Sequence, residues 1–223
     1  MDIIKLLIQI KNTYKKQANP EIAEGMSAYM KDKFDFFGIK KPLRNDLLKA
    51  YLPQLKNIPA SDQIKAAKWL WGQSERELHY LAFEILYRNR KLWTEEFIEL
   101  FEELIVNKSW WDTVDYIAST LVGYYFEKWP KHKNKKAKQW ARDKNLWLNR
   151  TAIIFQLKYK ENTDLDLLFE TILLHVHSKE FFLQKAIGWA LRQYAYTDMS
   201  QVKKFVATQD LKPLSIREAL KHG

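Results

Sequence analysis

At 223 residues with 47% hydrophobic content, the chain has enough apolar material for a substantial core, in one large domain or two small ones. The absence of cysteine excludes disulfides, thiolate nucleophiles and the usual structural zinc sets, and fits a reducing, cytoplasmic setting. A formal net charge of +10, from 37 Lys and Arg against 27 Asp and Glu, points to an acidic partner such as nucleic acid, although many soluble proteins are also basic.

The first residues, "MDIIKLLIQIKNTYKKQ", place apolar side chains at Ile3, Ile4, Leu6, Leu7, Ile8 and Ile10, interrupted by Lys5, Gln9 and Lys11. This pattern predicts a short amphipathic helix, not a signal peptide or a membrane span. Beyond it, apolar residues recur at helical spacing, broken by only six Gly and six Pro. The predicted helices cover 2–15, 21–34, 42–54, 61–72, 75–90, 94–106, 110–127, 134–143, 146–160, 164–175, 180–195, 199–207 and 214–221. Ser61 or Asp62, Ser74 and Thr94 are candidate caps, and Pro20 and Pro42 fit helix starts. Trp69 and Trp93 read as core.

No segment alternates with the period of a strand. Many short helices joined by short connections, without a composition shift, predict an all-α fold. The expected form is an α-solenoid of stacked antiparallel helix pairs in a single domain, 1–223, curved with a concave basic face. A compact irregular helical domain is the alternative.

Three stretches carry candidate chemistry. In "SWWDTVD", Ser109 and Asp112 are spaced for a capping box, and Asp112 also sits where the helix dipole favours an acid. Helical phase groups Trp110 with Val114, Ile117 and Leu121 as a core stripe, and pairs Trp111 with Asp115 on another face. Asp115 lies beyond reach of the free amides of the first turn, so neither capping nor the dipole accounts for it. A solvent-filled cleft or an internal ion pair would.

In "LWLNRTAIIFQLK", Arg150 shares its face with Ile153, Ile154 and Leu157, so its guanidinium needs an acidic partner or a phosphate. In "FFLQKAIGWALRQY", the stripe Leu183, Ile187, Leu191 and Tyr194 leaves Lys185, Trp189 and Arg192 together on a different face. A tryptophan between two cations suits nucleic acid, with the ring on sugar or base and the cations on phosphates. A basic run of eight cations (Lys128, Lys131, Lys133, Lys135, Lys136, Lys138, Arg142, Lys144) against Asp143 alone is either a solvated face or a phosphate-tracking patch.

No two of the five histidines are spaced four apart, and no two glycines are two apart, so neither a metal site nor a phosphate-cradling loop is expected.

Taken together, "SWWDTVD", "LNRTAI" and "GWALRQYA" on a chain of helix pairs resemble the DNA alkylation repair glycosylases built from HEAT-like repeats, the AlkD family. A tryptophan and an aspartate four apart, an arginine 35 residues on and a tryptophan 39 beyond that recur in the family's order. The resemblance implies base excision repair of N7-alkylguanine and N3-alkyladenine in double-stranded DNA, by an enzyme known for working without a pocket that swallows a flipped base. It also implies that Trp111 and Trp189 flank the deoxyribose, that Asp115 is the catalytic carboxylate and that Arg150 binds DNA near the lesion.

Tyr29 looks like a tyrosine that the family places on its DNA-facing surface. Lys158, Lys185 and Arg192 complete the expected DNA contacts, together with Lys40, Lys41 and Arg44 of "KKPLR", a segment more basic than the family's polar one. The expected protein is a monomer with no cofactor, no membrane attachment and no obligatory protein partner. A non-catalytic HEAT-like DNA-binding protein and a protein-binding scaffold are the alternatives.

Overall fold

The computed structural model describes residues 2–221, which fold into helices joined by short turns; among them the only β pairing is an isolated bridge between Asp35 and Glu75. Two compact units divide the chain, residues 1–97 and 98–223. No helix among the described residues is long and apolar enough to cross a membrane.

The first unit contains α1 (Ile3–Lys16), α2 (Pro20–Tyr29), α3 (Lys41–Leu48), α4 (Ala60–Trp71) and α5 (Arg76–Arg88). Asp2 and Asn19 cap α1 and α2, each accepting a hydrogen bond from a first-turn amide. Pro20 and Pro42 stand in the first turns of α2 and α3, as expected.

The predicted helix 21–34 stops at Tyr29, because Lys31 and Asp32 adopt left-handed backbone angles. The chain then runs extended beside α5, where the buried Glu77 carboxylate accepts the amides of Phe37, Gly38 and Ile39 at 3.1, 3.0 and 3.0 Å. Gly38 has a φ of +83°, and a Cβ there would lie 2.1 Å from the Asn19 carbonyl oxygen, so only glycine fits. Three backbone donors satisfy a carboxylate that would otherwise be too costly to bury.

Ser61, Asp62 and Ser74 do not cap their helices: α4 starts one residue earlier, after Pro59, and α5 follows Glu75, neither with a side-chain cap. Trp93 is buried and stacked on Phe97 at 5.5 Å, whereas Trp69 is only half-buried and Trp71 fills the core position of α4.

The second unit contains all but the first residue of α6 (Phe97–Val106), then α7 (Trp111–Tyr116), a π-helical turn (Ile117–Val122), α8 (Gly123–Lys128), α9 (Pro130–Ala141), α10 (Leu146–Ile154), α11 (Leu165–Leu173), α12 (Phe181–Ala195), α13 (Met199–Thr208) and α14 (Pro213–Ala219). Its core joins Ala118, Ile153, Ile154, Leu168, Ile172, Leu183, Ile187, Leu191 and Val202.

The region predicted as one helix, 110–127, is continuous but carries the π turn, whose wider winding brings residues five apart over each other. Asp115, just before this turn, and Thr120, within it, are both met from the neighbouring segment, by Arg150 and Lys158. The capping box does not form. Ser109 donates to the Ile105 carbonyl at 2.6 Å and so closes α6, while α7 begins after Trp110 without a side-chain cap. Asp112 keeps its place in the first turn of α7.

Candidate active site

Helix α10 is set by Asn145, whose side chain accepts the amides of Trp147 and Leu148 at 2.9 and 3.4 Å. From Leu148 to Ile154 every residue is buried, Arg150 included. Its guanidinium is thus almost wholly shielded from bulk water and turns to Asp115. Nε donates to Oδ1 at 2.7 Å and Nη2 donates to Oδ2 at 2.8 Å, a two-pronged pair that matches the planar fork to the carboxylate. The remaining Nη1 donates to the Phe182 carbonyl at 2.5 Å. Of the two partners open to Arg150, the structure supplies the acidic one, and all three guanidinium nitrogens are engaged within the protein.

Asn145→Ala should destabilise the protein by about 1 kcal/mol through loss of the cap on α10, measured as a drop in the urea unfolding midpoint.

Asp115 retains 18% side-chain exposure against 5% for Arg150, so one edge of the pair is open. Burial raises the Asp115 carboxyl above the ordinary aspartate range, and the hydrogen bonds and charge of Arg150 pull the other way. The nearby Asp112 charge adds to the rise.

The open edge faces a cleft of about 300 Å³ lined by Trp111, Asp115, Arg150, Phe181, Phe182, Lys185, Trp189, Arg192 and Glu218. Helical phase thus gathers Trp111, Asp115, Lys185, Trp189 and Arg192 in one place. Trp110 does not join the stripe of Val114, Ile117 and Leu121, because it precedes α7 with extended backbone; it packs edge-on against Trp147 and Phe182 at 5.8 and 5.2 Å.

Glu218 and the two phenylalanines escaped the sequence reading. The sequence gives no signal for Glu218, which comes from the last helix and pairs with Lys185 at 2.9 Å and Arg192 at 2.8 Å. The two cations hold its carboxyl down to about 2. Lys185 and Arg192 are therefore not bare cations, and the cleft's three cations against two carboxylates leave one net positive charge.

Half of the eight cations of the basic run are paired with acids of neighbouring helices. Lys133 pairs with Asp164 at 2.7 Å, Lys136 with Glu102 at 2.8 Å, and Lys138 and Arg142 with Glu170 at 2.6 and 3.3 Å. Helix α9, which carries most of the run, starts at Pro130 rather than at 134. Lys158 donates to Thr120 Oγ1 at 2.6 Å, and burial lowers its pKa.

In the first unit Arg44 is buried and directed inward, donating to Glu84 at 2.8 Å, because α3 presents it to α5 and not to solvent. Lys40 and Lys41 are exposed. Tyr29, with 68% of its surface exposed, shares with Lys40, Met26, Phe36 and Tyr80 a separate cleft of about 370 Å³.

The family model of the DNA alkylation repair enzymes matches residues 10–222. The chain belongs to the DNA alkylation repair enzyme family. A solved structure described as a predicted DNA alkylation repair enzyme from Enterococcus faecalis is similar to it, with 34% sequence identity over 92% of this chain and 96% of that one and a TM-score of 0.86. No curated protein matches. Membership gives this protein a role in the repair of alkylated DNA, with DNA as its partner, and the all-helical stack is the architecture it shares with its solved relative.

Proposed function

We propose that this protein is a DNA glycosylase of base excision repair, hydrolysing the N-glycosidic bond of cationic alkylated purines, N7-alkylguanine and N3-alkyladenine, in duplex DNA. The observation that carries this reading is the pairing, in one cleft, of an aspartate oriented by Arg150 with two tryptophans, Trp111 and Trp189.

Glycosidic cleavage develops oxocarbenium character on the sugar, and many glycosidases need one carboxylate to stabilise it and a second to protonate the leaving group. The second carboxylate of this cleft, Glu218, is held near 2 and has no proton to give at neutral pH. An alkylated purine, already cationic, departs neutral without one.

Asp115 then acts alone. The two Arg150 hydrogen bonds fix both carboxylate oxygens and favour the ionised form, and each oxygen keeps a lone pair for a water that it orients or deprotonates. Its negative charge stabilises the developing cation where it forms. The indole faces of Trp111 and Trp189 flank the sugar, adding cation-π stabilisation and excluding bulk water. Tyr29, Lys40 and Lys41 serve as contacts to the duplex, positioning it without reading sequence.

A second reading, a non-catalytic DNA-binding protein, is favoured by one observation: the ion pair with Arg150 gives Asp115 a structural reason to exist. Incubation of methylated duplex DNA with the wild-type protein, followed by chromatography of the released bases, separates the two. Free 7-methylguanine supports the glycosylase; duplex binding with no base released leaves the binding protein.

A further inference from the structure

Glu218 belongs to no step of the proposed chemistry, yet the fold goes to some length to place it. Helix α14 approaches α12 so closely at Gly188 that a Cβ there would lie 2.4 Å from Glu218 Cβ and 2.9 Å from the Ser215 carbonyl oxygen. Ser215, itself buried, donates to the Gln184 carbonyl at 3.0 Å and ties the two helices together one turn away. This crossing sets the Glu218 carboxylate between Lys185 Nζ, 2.9 Å from Oε1, and Arg192 Nη1, 2.8 Å from Oε2. Arg192 Nη1 also reaches the Glu218 backbone carbonyl at 3.1 Å. All three charged side chains line the cleft that holds Asp115 and Trp189.

A carboxylate held by an ammonium and a guanidinium reproduces the contacts that a backbone phosphate would make with the same two groups. We propose that Glu218 is a specificity-determining residue that competes with backbone phosphate for Lys185 and Arg192, so that undamaged duplex is held weakly at the cleft. The proposal rests on DNA being the partner and on Asp115 marking the site, but not on cleavage taking place.

The charge arithmetic favours this reading over simple structural support. With Glu218 in place the Lys185, Arg192 and Glu218 group carries a single net positive charge; without it, two. Non-specific affinity for DNA follows the number of phosphates neutralised, and its dependence on salt follows the same number. A competing carboxylate lowers both, which leaves binding more dependent on what is particular to the lesion. The low pKa of Glu218 keeps the competitor charged across the physiological range.

The test is the affinity of the full-length protein for a short undamaged duplex, measured by fluorescence anisotropy over a series of salt concentrations, for wild type and Glu218→Gln. The variant should bind on the order of tenfold more tightly at low salt, and the slope of log K against log salt should steepen by about one to two units. Affinity and slope that are unchanged, or weaker binding, would overturn the proposal. A residue that only tied α14 to α12 would change the melting temperature and leave the salt slope alone.

Should Glu218→Gln fail to fold, the triple variant Lys185→Gln/Arg192→Gln/Glu218→Gln, which leaves no bare carboxylate in the cleft, decides the matter. Cations already occupied by Glu218 contribute little to binding undamaged DNA, so a small loss supports the competition and a loss on the order of tenfold or more overturns it. Because the duplex contains no lesion, a protein that shows these shifts but releases no base refutes the glycosylase reading alone.

Discussion

Asp115→Asn is expected to lower the release of 7-methylguanine from methylated duplex DNA by about a hundredfold to ten-thousandfold, the range typical of one positioned acid or base. Asparagine keeps the shape and can accept one hydrogen bond from Arg150, but it carries no charge to set against the developing oxocarbenium ion and cannot deprotonate water. Affinity for the duplex should not fall, since the substitution removes an anion from a cleft meant for an anionic partner. Release at the wild-type rate would sink the mechanism.

The wild-type pH profile offers an independent check. The ionised form is the active one, and burial raises the carboxyl above its ordinary 3.8. Activity should therefore fall, as pH is lowered, at a pKa above 3.8; a limb at or below that value would contradict the assignment. Because the variant also leaves Arg150 short of a countercharge, both proteins should be compared well below the melting temperature of the variant.

Arg150→Met should destabilise the fold by about 3 kcal/mol or more. Removing one member of a buried ion pair strands the other in a poor dielectric, at a typical cost of about 3 to 5 kcal/mol. The remaining exposure of Asp115, 18% of its side chain, puts this pair at the lower end. Urea unfolding at neutral pH reads the effect directly.

Two features make the prediction specific. Arg150→Lys should recover little, because a single ammonium cannot reach both carboxylate oxygens and the Phe182 carbonyl in the fork geometry seen here. The double variant Asp115→Asn/Arg150→Met should be more stable than Arg150→Met alone, since no charge is then left unpaired. A loss under about 1 kcal/mol in the single variant would mean that the pair behaves as a solvated surface bridge.

What could be read in advance follows the range of the interactions involved. Helix number and order were legible because apolar spacing is local, and most element bounds agree within a few residues. The end of α2 was not, because it depends on Lys31 and Asp32 turning left-handed to feed a strand-like segment whose amides end on Glu77, about 40 residues away. Ser109 departs from its capping-box spacing for a similar reason. A serine between two helices can serve the end of one or the start of the next, and here the Ile105 carbonyl wins it.

Apolar spacing alone places Trp111 and Asp115 on one face of their helix and sets Lys185, Trp189 and Arg192 apart from the stripe beneath them, whereas Trp110 lies outside the helix, where phase says nothing of it. The same spacing requires a partner for Arg150, since a guanidinium on an apolar face cannot be left unsatisfied. That this partner is Asp115, that Arg44 turns inward to Glu84, and that Glu218 pairs with both cations beside Trp189 are matters of how the helices pack. The physical reason is that periodicity fixes which way a side chain points from its own helix. Which opposite charge it meets depends on how closely another helix can approach, as α14 does at Gly188, and that distance has no local signature in the chain.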